Sequence, residues 1–592
     1  MKRRPAIFAV TIVCLLFSNP ALETMSAGRG FPSSEITPPQ GVRDKLTAAD
    51  LLSGSFPEVV HNDYFMPVGN VLESIQFFSG TLELAETEMN TTRPDSDWTG
   101  SGQRYFPAIS LGFFRQGDLL IPLNRGIIRS GGQGRSYWNF IASPGRCWRE
   151  AADNGWSRAS FPFVLTDNFI GQALNGLATF VFTSAEISWV AVQITQETSP
   201  KSDYVRGDFN AAISARFIPR IFAEAGPAAA QYENEAALRP PVRNWSTLPS
   251  GGFTASFFNA GLDPEMVSFA ALFLNGSLFL QPAGTRSGPY PYPLEMRHGV
   301  FSVTKTLVMG LSMFYFAERY GEGLFDERIT AYVPELADHP GWQGVTFGNT
   351  LDMATGTQGD ERNTNFIRAR SASEKLQVVH GMPDAPYPPG ARFEYSSSHT
   401  FTLSCALDRY VKAREGPESD YWDLVGENVL KPLGIPVLPA ARTIEPGGAA
   451  GIPIAGWGCY PTGVEAVQIG RLLSNEGVWE GRQILNKNKV REALERTSRR
   501  GLSTGQPDSR YIHSLWILDV ALSTGPITAP HMSGLGGNYV VVLPGELIAV
   551  RFADEDNREL APMVAVAEFY RGLEANPGTR HGKNRTGKKA GF

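Results

Sequence analysis

The sequence predicts a multi-domain chain in which an all-β part precedes an α/β part. Between residues 177 and 217, three runs rich in aromatic and β-branched residues alternate with turn residues, which is typical of strands. They predict an N-terminal, sandwich-like β-domain over residues 30–240. Over residues 245–575, a hairpin and a further strand occur together with long apolar helices, which indicates an α/β domain. A chain of 592 residues with 42% apolar content is long enough for both.

The N-terminus has the pattern of a secretory signal. Lys2-Arg3-Arg4 precedes an apolar stretch over residues 6–17, and the expected cleavage region follows, up to Ala27. The apolar stretch is too short to span a bilayer and suits the hydrophobic region of a signal peptide. Residues 1–27 are therefore predicted to be a cleavable signal. We expect the mature chain to be secreted or periplasmic and to have no integral membrane segment.

Local signals mark the ends of the second domain. Residues 235–245 include Pro240-Pro241 and are interpreted as a linker. A hairpin then opens the domain, with its two strands joined by Asn275-Gly276, a dipeptide that favours two-residue turns. The basic, glycine-rich residues 576–592 are predicted to be disordered.

Composition narrows the classes of function. A net charge of −6 indicates no nucleic-acid partner. The motifs of zinc, nucleotide and dinucleotide sites do not occur, so we expect neither a metal nor another cofactor. After signal cleavage Cys147, Cys405 and Cys459 remain, and an odd number allows at most one disulfide. A Cys405–Cys459 bridge is one alternative, although a buried thiol is the default for a cysteine in an apolar helix.

Ser302-Val303-Thr304-Lys305 is the strongest catalytic signal. Residues three apart on a helix share a face, so the lysine amine can take the proton of the serine hydroxyl. A serine is a poor nucleophile near neutral pH without such a base. Because Ser-Lys pairs are a known variant of the nucleophile and base arrangement, Ser302 and Lys305 are predicted to fill these two roles.

The residues after this motif predict a buried helix. They are apolar on nearly all sides and include Leu307, Val308, Leu311, Phe314 and Phe316. Ser302 and Lys305 would then lie in the first turn, where the helix dipole favours a serine oxyanion and disfavours an ammonium. Burial also disfavours the ammonium. It therefore lowers the pKa of the lysine, as the dipole does, and makes the amine a usable base.

Tyr395 is the candidate for a third catalytic group. It follows the turn Pro388-Pro389-Gly390 and precedes a helix that is apolar from Phe401 onward. A phenol held on such a loop can relay a proton between the serine, the lysine and the leaving group. Ser397 or Ser398 is expected to cap the helix.

Further segments follow the Ser-x-x-Lys motif in a recognisable order. They are Tyr320–Asp326, Tyr332–Leu336, Val345–Gly356, Pro389–Ser397, Lys431–Ile435 and Gly456–Trp479. In this order, from about Asp263 to Ala575, the chain resembles the serine β-lactamase and penicillin-binding superfamily. Its motifs are similar to those of class C β-lactamases, D-Ala-D-Ala carboxypeptidases and their esterase relatives.

The resemblance implies a DD-peptidase-like α/β fold, with an antiparallel sheet beside an all-helical half. It also implies acyl-enzyme chemistry at Ser302 with Lys305 and Tyr395. Ser397 replaces the asparagine that the family usually has at this position, and we expect it to contact substrate.

The third family motif, Lys-Thr-Gly or His-Thr-Gly, has no lysine here. Counting back from the paired glycines of Pro530–Gly537 puts His531 at the lysine position, whereas a one-residue slip puts Ser533-Gly534 at the motif. In β-lactamases this lysine helps to hold the carboxylate of the drug, so its absence weakens that activity. The glycines suit close approach to substrate, and one backbone N–H would complete an oxyanion hole with that of Ser302.

The sequence therefore predicts a secreted, cofactor-free serine hydrolase that acts on a small-molecule ester, amide or peptide. One alternative is a true β-lactamase or D-Ala-D-Ala carboxypeptidase. Another is a protein that binds penicillin or peptidoglycan fragments without turnover. Gly501–Gly505 matches G-x-S-x-G but lacks the strand-turn-helix context that this motif requires, so Ser503 is interpreted as a loop residue.

Overall fold

The structure is a computed structural model. It describes residues 36–574 apart from 73–74, 92–100, 131–133, 168, 199–206, 249–253, 362, 385–386 and 556–558. The predicted signal peptide (1–27) and basic tail (576–592) lie outside these residues. Within the described part of the chain, no helix combines the length and the apolar character needed to cross a bilayer.

The first half of the described chain is mostly β-structure. Its strands are β1 (Ser79–Leu84), β2 (Thr87–Glu88), β3 (Asn90–Thr91), β4 (Tyr105–Phe106), β5 (Ile109–Gln116), β6 (Leu119–Pro122), β7 (Asn139–Ala142), β8 (Gly145–Trp148), β9 (Ser157–Thr166), β10 (Ala173–Phe182), β11 (Val190–Thr198), β12 (Phe209–Ile213) and β13 (Ala215–Pro219). Helix α1 (Ala48–Ser53) precedes them and α2 (Ala225–Leu238) follows them. The strands predicted between residues 177 and 217 correspond to β10–β13.

One antiparallel sheet, rather than the two sheets expected of a sandwich, contains most of these strands. Its order is β13-β1-β5-β6-β8-β9-β10-β11-β12-β3, and β7 pairs with β9. Phe78, next to β1, packs against Phe182 of β10 with ring centroids 4.8 Å apart. Because neighbouring strands lie about 4.8 Å apart, a flat sheet would separate β1 and β10 by roughly 24 Å. The sheet therefore curls over a single aromatic core.

The second half combines a larger number of helices with another sheet. Its strands are β14 (Val242–Asn244), β15 (Val267–Leu274), β16 (Ser277–Leu280), β17 (Val478–Trp479), β18 (Arg482–Gln483), β19 (Leu502–Ser503), β20 (Ser509–Ile512), β21 (Leu515–Leu522), β22 (Gly525–Gly534), β23 (Asn538–Leu543) and β24 (Leu547–Ala553). Its helices are α3 (Ala255–Phe258), α4 (Leu311–Tyr320), α5 (Ile329–Tyr332), α6 (Phe347–Leu351), α7 (Thr364–Arg368), α8 (Ala372–His380), α9 (Ser397–Glu415), α10 (Tyr421–Val425), α11 (Gly463–Ser474), α12 (Lys487–Ala493) and α13 (Ala561–Glu574).

Nine strands form this sheet in the order β14-β16-β15-β24-β23-β22-β21-β20-β19. Only β14 is parallel to its neighbour. The expected hairpin is confirmed, because β15 and β16 pair through Leu274 and Ser277 around Asn275-Gly276, both of which have positive φ. The expected linker is instead ordered, since it comprises the end of α2 and the edge strand β14.

The two faces of this nine-stranded sheet pack against different helices. One face shares a core with α4, α9 and α11, and the other face packs against α13. Because Ser302 lies at the start of the helical region that continues into α4, the first face and the end of β22 determine where the serine lies.

The curled sheet supports the segment that leads to Ser302. Tyr290 and Tyr292 are buried against the outer face of β9 and β10, and the Tyr290 hydroxyl donates to the carbonyl of Gly176. Closer to the serine, the N–H of Gly299 donates to Thr198 Oγ1 at 2.6 Å. The β-domain therefore fixes the backbone immediately before Ser302.

Candidate functional site

Ser302 lies at the start of the buried helical region but not in regular α-helix. Residues 301–303 form a 3-10 turn, Lys305–Gly310 form a π-helical segment, and α4 begins only at Leu311. Phe301 has a φ of 45°, which is rare for a bulky residue and persists only where the surroundings impose it. The expectation of a first α-helical turn is therefore corrected, although the three-residue spacing still brings the two side chains together.

The neighbours of the Lys305 amine fix its orientation. Nζ lies 3.0 Å from Ser302 Oγ, and two further oxygens surround it: Ser397 Oγ at 2.8 Å and the Gly456 carbonyl at 3.0 Å. The Ser397 hydroxyl donates its hydrogen to Glu361, so toward Lys305 it can only accept. A neutral amine has two N–H donors and one lone pair. The ammonium donates to all three oxygens, and in the neutral amine, with its two donors directed at Ser397 and Gly456, the lone pair is left for Ser302.

Burial brings the pKa of this amine close to neutrality. The Lys305 side chain is 2% exposed, and desolvation lowers its pKa from the usual 10.5 to about 8. The Glu361 carboxylate, 3.8 Å from Nζ, opposes the shift and raises the pKa. A substantial fraction of the amine is therefore unprotonated at mildly alkaline pH.

The ring of Tyr395 covers one side of the amine. Its centroid lies 4.6 Å from Lys305 Nζ, within the range of a cation–π contact with the protonated form. The ring belongs to an aromatic cluster with Phe393, Tyr511 and Trp516, whose centroids lie 6.2, 6.5 and 5.6 Å away. The structure thus brings Tyr395 to the base through the face of its ring.

Glu361 is the site residue that sequence reasoning missed. Its Oε2 accepts the Ser397 N–H at 2.6 Å and its Oε1 accepts the Ser397 hydroxyl. The side chain is 39% exposed, so the carboxylate borders both the lysine amine and solvent. Because it lies in a loop 36 residues before Ser397, neither periodicity nor a motif marks it.

Ser397 begins helix α9 without acting as its cap. Ser396 occupies the N-cap position, and its side chain makes no capping hydrogen bond. The Glu361 carboxylate takes the Ser397 N–H instead and lies at the positive end of the helix dipole. The expectation that Ser397 or Ser398 caps the helix is therefore corrected, and the Ser397 hydroxyl is available to Lys305.

Gly534, at the end of β22, lies against the backbone of Ser302. A Cβ at position 534 would be 2.2 Å from the Val300 carbonyl oxygen and 3.3 Å from the Ser302 nitrogen. The register pairs β21 with β22 only from Gly525 to His531, so β21 does not run beside the last residues of β22. The structure thus brings the Ser533–Gly534 backbone to the serine.

His531 is not brought to the same side. Side chains alternate along a strand, and Met532 is buried in the core that contains the nucleophile helix. His531 therefore points to the opposite face, where its ring lies 6.0 Å from that of Tyr539, in the core under α13. Burial also lowers the pKa of His531 to about 4. This geometry corrects the His531 alignment and favours the one-residue slip, which puts apolar Met532 at the lysine position.

The remaining candidates lie apart from this site. Ser503 is an exposed residue of the two-residue edge strand β19 rather than of a loop, and no helix follows it directly. Cys147, Cys405 and Cys459 are all buried free thiols, so the Cys405–Cys459 bridge does not form.

Solved structures match between 52% and 58% of this chain. A novel penicillin-binding protein homologue from Caulobacter crescentus has 17% identity and a TM-score of 0.40, and the match covers 54% of this chain and 99% of that one. A D-stereospecific amidohydrolase from Streptomyces sp. has 15% identity, a TM-score of 0.40 and the same coverage. A family VIII carboxylesterase has 16% identity and a TM-score of 0.39, covering 58% of this chain and 97% of that one.

No family model and no curated protein matches the sequence. At these identities and TM-scores the matches assign no activity to this chain. The chemistry of the site is inferred from its own residues.

Proposed function

We propose that this chain is a serine hydrolase that cleaves an ester or amide bond through an acyl-enzyme at Ser302. The observation that carries this proposal is the directed contact between the Lys305 amine and Ser302 Oγ, 3.0 Å apart. The amine is buried, its pKa is lowered to about 8, and its other hydrogen bonds go to acceptors. This is what a general base for a serine hydroxyl requires.

Acylation follows from this arrangement. Lys305 takes the hydroxyl proton as Ser302 Oγ bonds to the substrate carbonyl carbon, and the carbonyl oxygen becomes an oxyanion. The backbone N–H of Ser302 and one from the Ser533–Gly534 segment would stabilise that charge. When the tetrahedral intermediate collapses, the bond to the leaving alcohol or amine breaks. The proton held by Lys305 passes to the leaving group, and we assign the Tyr395 hydroxyl as the relay.

Deacylation repeats the sequence with water as the nucleophile. Lys305 takes a proton from water as its oxygen attacks the acyl carbon. Collapse then breaks the bond to Ser302 Oγ, which recovers a proton, and the acid product leaves. No step requires a cofactor.

Charge at the site favours substrates without an anionic group next to the scissile bond. The position of a carboxylate-binding lysine is taken by Met532, which is fully buried and apolar. The charge of Glu361 lies 3.8 Å from the lysine amine and repels a carboxylate. Esterase or amidase activity is therefore favoured over β-lactam hydrolysis. Secretion to the periplasm or medium remains part of the proposal.

A fluorophosphonate probe tests the assignment directly. We expect mass spectrometry to find the label on Ser302, and Lys305→Ala should slow labelling by roughly 100-fold or more, in line with the loss of a general base. Lys412→Ala, which removes an ion-paired lysine on α9, is the matched control and should label at the normal rate. A label on Ser503, or none, would refute the assignment.

A substrate panel then separates the activities. Nitrophenyl esters, a D-Ala-D-Ala peptide and a chromogenic cephalosporin distinguish an esterase from a peptidase and a β-lactamase. We expect the uncharged esters to be hydrolysed fastest. A persistent adduct without turnover would instead support the alternative that this chain binds penicillin or peptidoglycan fragments without hydrolysing them.

A further inference from the structure

The Glu361 carboxylate of the Ser302 site is open to a further hydrogen-bond donor. Its side chain is 39% exposed, whereas the Lys305 side chain beside it is 2% exposed. Ser397 donates one hydrogen bond to each carboxylate oxygen, through its N–H and its hydroxyl. A carboxylate offers about four acceptor positions, so each oxygen keeps a position for another donor.

The positive charge beside Glu361 is lost when the site becomes reactive. Among the described residues, Lys305 is the one cation within ion-pair distance of this carboxylate, with Nζ 3.8 Å from Oε1. In the mechanism proposed above, only the neutral amine accepts the Ser302 proton. The reactive form therefore has an uncompensated carboxylate, and the same carboxylate disfavours that form because it stabilises the ammonium.

A second carboxylate lies against the same loop. Glu394 Oε1 accepts the N–H of Gly359, two residues before Glu361, at 3.1 Å, and its Oε2 accepts the hydroxyl of Tyr387. The Arg392 guanidinium lies over the Tyr387 ring, 5.3 Å from its centroid, and within the described part of the chain it forms no ion pair with either carboxylate. The described groups around the loop thus favour a cation over an anion.

The carboxylate is within reach of a substrate group close to the scissile bond. The Lys305 amine alone separates it from the nucleophile, since Nζ is 3.0 Å from Ser302 Oγ and 3.8 Å from Glu361 Oε1. The substrate carbonyl carbon bonds to Oγ, covalent bonds are about 1.5 Å long, and a charge-assisted hydrogen bond is about 2.8 Å long. An ammonium two or three bonds from that carbon can therefore reach Glu361.

We propose that the substrate carries an ammonium group on its acyl part, two or three bonds from the scissile carbonyl, and that Glu361 binds this group. The inference rests on the proposed acyl-enzyme at Ser302. Because Tyr395 is assigned to the leaving group, the carboxylate is left for the acyl part. The bound ammonium would restore the charge compensation that Glu361 loses when Lys305 becomes neutral. Substrate binding would thus stabilise the reactive form of the base.

Two matched esters test the charge preference. 4-Nitrophenyl 3-aminopropanoate carries an ammonium three bonds from the carbonyl carbon, and 4-nitrophenyl butyrate has a methyl group in its place. Dividing each kcat/KM at pH 7 by the rate constant of that ester with hydroxide corrects for intrinsic reactivity. We expect the corrected value to be at least about tenfold higher for the ammonium ester, in line with one charge-assisted hydrogen bond. Equal values would overturn the inference.

The pH dependence tests the effect on the base and needs no variant. The acidic limb of kcat/KM, where the value falls with falling pH, reports the free enzyme, and that of kcat reports the complex with substrate. Desolvation lowers the pKa of Lys305 to about 8, and the charge of Glu361 raises it. Its other described neighbours, the ring of Tyr395 among them, are uncharged. The limb of kcat should therefore lie at lower pH for the ammonium ester than for butyrate, while the limbs of kcat/KM coincide. Coincident kcat limbs would overturn the inference.

Glu361→Gln locates the preference. The corrected ratio of the two esters should fall toward one in this variant, because the amide has no charge to attract the ammonium. Glu418→Gln, an exposed acid elsewhere, should keep the ratio of the unmodified chain. A ratio that Glu361→Gln leaves intact would overturn the inference, and if this variant does not fold, the kcat limbs of the unmodified chain decide. Turnover of both esters without a preference refutes this inference alone. Failure of both to react at Ser302 refutes the proposed function and this inference with it.

Discussion

Ser397 Oγ lies 2.8 Å from Lys305 Nζ and accepts its hydrogen bond, because the hydroxyl hydrogen is already donated to a carboxylate. This polarity directs one N–H of the amine toward Ser397 and away from Ser302. The protonated amine donates to Ser302 as well, and only the neutral amine, with its two N–H groups held by Ser397 and Gly456, has its lone pair left for the Ser302 proton.

The pH dependence of acylation should report the lysine amine. Only the neutral amine accepts a proton, and its pKa is lowered to about 8. The second-order rate of fluorophosphonate labelling should therefore be level above pH 8 and fall about tenfold for each pH unit below it. If the pH profile of the labelling rate had its midpoint near 6.5, which is typical of histidine, another residue would be the base.

Glu361→Gln should shift the acidic limb of this pH profile, where the labelling rate falls with falling pH, to lower pH. The Glu361 carboxylate raises the pKa of Lys305, so removing its charge lowers that pKa further and leaves more neutral amine in mild acid. The single amide oxygen can accept from the Ser397 hydroxyl and keep its polarity, while the Ser397 N–H loses its acceptor, so the rate above pH 8 should fall by less than about tenfold. Glu418→Gln, an exposed acid elsewhere, should leave the profile unchanged. An upward shift of the limb would contradict the assigned charge effect.

Gly534→Ala should reduce labelling of Ser302 by roughly 100-fold, the loss expected when an oxyanion site is displaced. The new Cβ would lie 2.2 Å from the Val300 carbonyl oxygen, so the backbone must move at residue 534, at Val300 or at both. Gly323→Ala is the control, since nothing lies within 4 Å of a Cβ there. Thermal unfolding, measured alongside, separates a displaced site from an unfolded chain. Normal labelling of Gly534→Ala would show that β22 does not form the oxyanion site.

His513 should contribute to stability mainly in mild acid. It is fully buried, and its ring nitrogens lie 2.9 Å from Asp352 Oδ1 and 3.0 Å from Glu492 Oε2. These carboxylates raise the pKa of His513, whereas its hydrogen bond lowers that of Glu492 to about 2. The histidine contribution is present below pH 6.5 and is lost as pH rises through the raised pKa. The Glu492 contribution is present above pH 4.5 and is lost as pH falls toward 2.

His513→Gln should therefore lower the free energy of unfolding most between about pH 4.5 and 6.5, by about 3 kcal/mol. Chemical denaturation across pH measures the difference. His380→Gln removes an exposed histidine paired with an exposed aspartate and should have a much smaller effect. An equal loss from both variants would mean that burial does not strengthen the His513 pairs.

Local patterns were sufficient for several elements. Asn275-Gly276 between two apolar runs predicted the β15–β16 hairpin, because a two-residue turn depends on adjacent residues alone. The Ser302–Lys305 spacing likewise brought the two side chains together, even though a π-helical segment replaced the first α-turn. The architecture of the β-domain was harder to predict. Runs of aromatic and β-branched residues between turns predicted strands, but whether the strands formed one sheet or two depended on distant contacts such as Phe78 with Phe182.

The sequence by itself determined which residues could be nucleophile and base, since a hydroxyl and an amine one turn apart meet in any helical geometry. Only the tertiary structure decided which partners surround them. Glu361 reaches Ser397 across 36 residues, and the register of β22 turns His531 away while bringing Gly534 to Ser302. Such contacts join distant segments, and the direction of a side chain on a strand reverses with a shift of one residue.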